Sequence, residues 1–174
     1  SNLDKKYDPA IEPIRALYDE YFGGGMNSIV FQEMRETRGL AYSAWASIMP
    51  PSYLKYPYVL RTQIATQNDK MIDAVTTFND IINNMPESEA AFKLAKDGLT
   101  NRLRAERIIK GDIIWSYINA QDLGQNVDPR IKLYNDIQNM SLKDIVDFQK
   151  QWVKGRTYVY CILGDKKDLE IGRA

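Results

Sequence analysis

The chain contains no histidine and a single cysteine among its 174 residues. The first absence removes the commonest general base and the commonest zinc ligand. The second rules out an internal disulfide. A metal site would have to be assembled from carboxylates, or around the lone thiolate of Cys161. That cysteine lies in the apolar run Tyr158 to Leu163, where a thiol is expected to be buried and to act as a small hydrophobe. Net charge is lacking as well, with 23 basic and 23 acidic side chains. No overall field draws the chain to nucleic acid or to an anionic membrane. No apolar run approaches the roughly 18 residues of a membrane span, and the opening residues do not read as a secretory leader. Linkers, repeats and low-complexity segments are missing too, so residues 1–174 read as a single domain.

The regular elements can be placed from capping and periodicity. The first residues are polar up to Asp8-Pro9. A helix follows to about Phe22, with Ile14, Leu17, Tyr18 and Tyr21 at helical spacing. Gly23-Gly24-Gly25 ends it. Asn27 or Ser28 caps a short second helix through Arg38, stopped by Gly39. Residues Leu40 to Ile48 alternate as a strand, placing Leu40, Tyr42, Ala44, Ala46 and Ile48 on one face. Pro50-Pro51 breaks it, and Tyr58 to Ala65 forms the next strand. Helices are then expected over Asp69 to Met85, from Ser88 to near Lys110-Gly111, over Ile113 to Leu123, after Asp128-Pro129, and from Ser141 to about Val153. Thr157 to Leu163 closes the chain as a last strand, before Gly164-Asp165. This order predicts an α+β fold, a mostly antiparallel sheet with helices on one face. Three strands are few for so many helices. The sheet is expected to lack its first strand or strands, and an uncovered edge invites self-association.

The most informative stretch is Phe22 to Tyr42, Phe-Gly-Gly-Gly-Met-Asn-Ser-Ile-Val-Phe-Gln-Glu-Met-Arg-Glu-Thr-Arg-Gly-Leu-Ala-Tyr. It resembles the C-terminal, non-catalytic domains of the pitrilysin, insulin-degrading-enzyme and mitochondrial-processing-peptidase family of zinc metallopeptidases. In those domains a helix ends in a glycine-rich turn. A short helix then carries Phe-Gln-Glu-hydrophobic-Arg, and a strand opens with Gly-Leu-Ala-Tyr. The tail, Tyr158 to Leu169, is similar to the closing segment of such chains in Bacteroides-like bacteria, whose relatives are often periplasmic or envelope-associated.

The resemblance implies a processing-peptidase-like domain that encloses substrate and does not itself catalyse. The family's zinc is held in another half by a His-x-x-Glu-His motif, so zinc would belong to a catalytic half-domain of the same chain or to a partner subunit. No cofactor is expected in this domain. The implied substrates are peptides or unfolded proteins. An Arg and a Tyr seven residues apart reach the peptide in relatives resembling insulin-degrading enzyme. Arg35 and Tyr42 match that spacing. Donors of this kind stabilise charge that builds on a carbonyl oxygen during amide attack.

Plainer readings stand beside each of these. A cation in the last turn of a short helix is favoured by the helix dipole alone, and Tyr42 shares strand parity with core positions. Arg38 is a rival for the Arg role, but at a spacing of four. Asp19-Glu20 reads as solvated surface. The glycine triplet lacks the Gly-Lys-Ser or Gly-Lys-Thr of a phosphate loop and reads as a tight turn. Arg102, Arg104, Arg107 and Lys110 read as the wet face of a helix, and Tyr53, Tyr56 and Tyr58 as an ordinary strand and its approach. Two functional alternatives remain: a catalytically dead scaffold subunit of the same family, and a bare peptide-binding module.

Overall fold

The computed structural model describes residues 1–107 and 109–165. Its sheet has three antiparallel strands in the order β1-β3-β2: β1 (Asn2–Lys6), β2 (Ser43–Met49) and β3 (Pro57–Ala65). The helices are α1 (Glu12–Phe22), α2 (Ile29–Phe31), α3 (Met71–Asn83), α4 (Glu89–Ala105), α5 (Ile113–Asp122), α6 (Pro129–Ile137) and α7 (Leu142–Trp152). Helix α2 runs straight into a π-helical turn, Gln32–Thr37. The fold is α+β, as the order of elements predicts.

Polar side chains fix most helix starts. Ser28 and Ser88 each accept a backbone N–H three residues on, and Asp128 accepts the Arg130 N–H. Asp144 reaches back to the Ser141 backbone N–H at 2.8 Å, completing a capping box. Gly39 adopts φ +57°, the left-handed backbone that glycine tolerates best.

Helix α1 is the hub. It lies against β2 and also touches α4, α6 and α7. Leu17, Tyr18, Tyr21 and Phe22 are fully buried along it; each such side chain contributes on the order of 1.5–3 kcal/mol. A chain of ring contacts links three elements: Phe22 to Tyr18 at 5.2 Å, Tyr18 to Phe148 at 5.2 Å, Phe148 to Trp152 at 5.0 Å and Trp152 to Tyr58 at 5.3 Å. Such pairs add about 0.5–1.5 kcal/mol beyond area. Gln149 sits in this core, accepting from the Tyr18 hydroxyl and donating to the Ile82 carbonyl.

Of the three glycines after α1, Gly23 has the clearest steric reason. A Cβ there would lie 2.2 Å from the Ala46 carbonyl oxygen on β2. The contact lets Ala46 N–H donate to the Gly23 carbonyl at 3.4 Å. A Cβ at Gly25 would meet nothing within 4 Å.

The structure corrects several expectations. The polar opening is partly a strand: β1 pairs with β3, and only its Leu3 is buried. The last strand is not formed. Residues 156–163 carry no sheet pairing, and Val159 and Leu163 are almost wholly exposed. The reason is the lack of a neighbouring strand. Cys161 is therefore exposed, not buried. Helix α4 ends at Ala105, short of Lys110. The final residues of the family-like tail, 166–169, lie outside the described residues.

Asp19-Glu20 is not solvated surface. Asp19 accepts from Arg15 at 2.8 Å, from the Ser47 hydroxyl at 2.9 Å and from the Ile48 N–H at 2.8 Å. Glu20 pairs with Arg102 at 2.7 Å. Arg15 also holds Glu12 at 2.9 Å and donates to the Ile48 carbonyl at 2.9 Å. The cluster clamps α1 to the outer edge of β2. Burial pushes the Asp19 carboxyl up to about 6, against the pull of Arg15 and its hydrogen-bond donors.

Candidate functional site

The stretch from Arg35 to Tyr42 is held by backbone bonds more than by packing. Gly39 N–H donates to the Arg35 carbonyl at 3.1 Å, and Leu40 and Ala41 N–H groups both donate to Met34, at 2.9 and 3.2 Å. The turn is tied to the far end of β3 by three further contacts. The Thr66 hydroxyl donates to the Leu40 carbonyl at 2.6 Å, Lys70 reaches the Gly39 carbonyl at 3.2 Å, and Tyr42 N–H donates to Ala65 at 2.8 Å. Thr66 and Lys70 were not singled out from the sequence. Their role depends on contacts 26 and 31 residues away, which no local pattern signals.

Tyr42 does not share the core parity of Ala44, Ala46 and Ile48. Strand β2 starts only at Ser43, so the pleat does not yet govern Tyr42. Its side chain is 81% exposed. Arg35 is about half exposed and stands beside it, its guanidinium carbon 5.6 Å from the Tyr42 ring centre and 5.1 Å from that of Phe31. The nearest carboxylate to Arg35 is its neighbour Glu36, at 3.6 Å. Arg38, the rival, is paired with Glu33 at 3.4 Å and does not line the cavity described next.

Arg35 and Tyr42 stand together at a half-open cavity of about 960 Å³. One wall is the end of β3, Thr62 to Ala65. Another is the face of α3 that carries Met71, Val75 and Phe78. Residues Val159 to Leu163 form a third. The two side chains thus offer a forked cation and a hydroxyl to anything entering it. Polar acceptors such as peptide carbonyls suit these donors.

The residues present do not fit a zinc ion. There is no histidine, and among the described residues no group of three or more Cys, Asp or Glu could hold a metal. The buried carboxylates Glu12 and Asp19 are taken up by Arg15, Ser47 and Tyr58. Among the described residues no helix is long and apolar enough to cross a membrane.

The fold and the donor set define an α+β domain of the metallopeptidase type without the metal-binding half. The sequence profile of the peptidase M16 inactive domain matches residues 14–99. That span contains α1, the glycine turn, Arg35, Tyr42 and both long strands. The chain belongs to the M16 peptidases as one of their inactive domains.

Solved structures show the same fold at low identity. A peptidase M16 inactive domain from Pseudomonas fluorescens superposes with a TM-score of 0.67 at 18% identity, over 85% of this chain and 36% of that one. A conserved protein from Enterococcus faecalis gives 0.67 and 18%, over 91% and 39%. The inactive peptidase domain of a Bordetella parapertussis protein described as a zinc protease gives 0.61 and 12%, over 87% and 81%. The chain therefore spans well under half the length of the first two. Among curated proteins, none matches it.

Proposed function

We propose that this domain is the substrate-enclosing, non-catalytic half of a zinc metalloendopeptidase. In this reading Arg35 and Tyr42 donate hydrogen bonds to backbone carbonyls of a bound peptide. Zinc and the water-activating carboxylate belong to another half-domain of the same protein or to a partner subunit. The observation that carries the reading is the pairing of Arg35 with an exposed Tyr42 at the mouth of the 960 Å³ cavity. A Tyr packed in the core would have argued for structure alone. An exposed, uncovered sheet edge also gives the isolated domain a route to self-association.

The test is made on the protein that carries this domain together with a His-x-x-Glu-His half. Cleavage of a mixed peptide pool is compared for the wild type, Arg35→Ala and Tyr42→Phe. Each variant is expected to lose at least about tenfold in rate with its fold intact, about 1.4 kcal/mol of transition-state stabilisation. Full cleavage by both variants removes Arg35 and Tyr42 from the substrate path. If the wild-type protein has no metal-dependent cleavage at all, the catalytically dead scaffold subunit becomes the correct reading.

A further inference from the structure

A sheet has two edges, and the chain finishes them unequally. On the outer edge of β2, the Ala46 N–H donates to Gly23, while the Ile48 N–H and carbonyl are taken by Asp19 and Arg15. That edge is closed by α1. On the other side, β1 covers β3 only as far as Leu60, which exchanges both backbone bonds with Ser1 at 2.8 and 2.9 Å.

Backbone groups in a strand point alternately to its two neighbours. Leu60 faces β1, so Thr62 and Ile64 face the same way, beyond the point where β1 ends. The register agrees. Thr62 and Ile64 lie opposite Ala46 and Ala44, and the Ala46 N–H points away from β3 to Gly23. The bonds of β3 to β2 therefore run through Arg61, Gln63 and Ala65. The N–H and C=O groups of Thr62 and Ile64 look into the 960 Å³ cavity.

The edge from Thr62 to Thr66 also carries none of the usual protections. It has no Lys, Glu, Asp or Pro, the residues that normally blunt an exposed edge. The cavity has room for one strand. A residue in a sheet fills about 4.8 by 3.3 by 10 Å, roughly 160 Å³, so the volume holds about six. A second sheet edge does not fit, because the segment Val159 to Leu163 stands on the far side. That argues against a second copy of this chain as the occupant.

We infer that the open half of β3 is a strand-docking site for an extended, uncharged peptide, held by main-chain bonds to Thr62 and Ile64. Alternate side chains of the peptide would rest on Met71, Val75 and Phe78 of α3, and the others would face solvent. The specificity is for main chain plus alternating apolar residues, the usual mode of strand addition. The inference rests on the peptide-facing reading above for the identity of the ligand only. The backbone groups that hold it are separate from Arg35 and Tyr42.

The probe is an acetylated and amidated hexapeptide, Ser-Val-Thr-Val-Ser-Tyr, titrated into the isotope-labelled 174-residue chain and followed by amide chemical shifts. Saturable binding with shifts centred on Thr62 and Ile64 is expected. Thr62→Pro and Ile64→Pro each remove one outward donor and no bond to β2, and should weaken binding at least tenfold. The same hexapeptide N-methylated at alternate residues should fail on the unaltered protein, which covers the case of a proline variant that folds poorly. Lack of binding at millimolar peptide overturns the inference, as does binding that ignores both the proline variants and N-methylation. So does concentration-dependent dimerisation abolished by the prolines, which would make a second copy the occupant. If Arg35→Ala and Tyr42→Phe leave binding intact while the prolines remove it, the strand site stands and the donor assignment falls. The opposite pattern sinks the strand site alone.

Discussion

The guanidinium carbon of Arg35 lies 5.6 Å from the centre of the Tyr42 ring, although the two residues are separated by a turn through the left-handed Gly39. Both are exposed, so the contact is wet. Exposed cation–π pairs contribute about 0.5–1 kcal/mol. Removing either partner should leave a folded protein. Arg35→Ala and Tyr42→Phe are expected to change unfolding free energy in urea by less than about 1 kcal/mol. A loss of several kcal/mol would show that the pair is structural, and any loss of activity could then not be read as loss of a substrate contact.

The glycine turn makes a sharper prediction. Gly23→Ala places a methyl group against β2 backbone at 2.2 Å, and neither α1 nor β2 can yield without breaking the Asp19 clamp. Overpacking into backbone costs about 1–3 kcal/mol or more, so Gly23→Ala should melt clearly below the wild type. Gly25→Ala meets open space and should be nearly neutral. Equal thermal midpoints for the two variants would contradict the close approach.

Gln149 bridges α1 to the end of α3 from within the core. Gln149→Leu strands the Tyr18 hydroxyl, and an unsatisfied buried group costs about 1–3 kcal/mol. Adding Tyr18→Phe to that variant should recover part of the loss, since both polar partners are then gone. Purely additive effects in a double-mutant cycle would argue that the two side chains do not interact.

Asp19 gives a pH dependence with a definite sign. Its folded carboxyl is raised to about 6 by burial, above the ordinary 3.8. Between about pH 4 and 6 the native state keeps a proton that the unfolded chain has released. The stability from this group is therefore full below the unfolded value and lost as pH rises through the folded one. The span is at most about 3 kcal/mol. Stability of the wild type relative to Asp19→Asn should fall from pH 4 to pH 7. Parallel profiles would mean that the Arg15 ion pair outweighs desolvation.

Cys161 is exposed in a segment without sheet pairing. A thiol reagent should label it fully in the native protein. Resistance until denaturant is added would show that residues 157–163 pack as a strand in solution, as their alternation suggests.

The sequence was most readable where a local rule decides the structure. Ser28, Ser88, Asp128 and Ser141 announce helix starts because a cap needs only residues within three positions. Gly39 marks a stop for the same reason. Strand β1 was hidden, since Asp4, Lys5 and Lys6 make it look like a loop and its only warrant is pairing with β3 more than 50 residues away. Residues 157–163 failed in the opposite sense. Their side chains read as a strand, but a strand exists only beside another one. For the candidate site, the spacing of Arg35 and Tyr42 was legible. The exposure of Tyr42 was not, because it turns on whether β2 begins at Leu40 or at Ser43. Asp19 was misjudged because its partners, Ser47 and Ile48, lie on another element.

The π-helical turn at Gln32–Thr37 has a bearing on how this segment can vary. A π turn holds one residue more than an α turn. Deleting one residue between Gln32 and Thr37 could let the helix wind normally with little cost to its backbone bonding. It would also rotate everything downstream by about 100°, turning Arg35 away from Tyr42. The extra residue thus sets the phase of the segment, and variation in its length separates what the helix requires from what the cavity mouth requires.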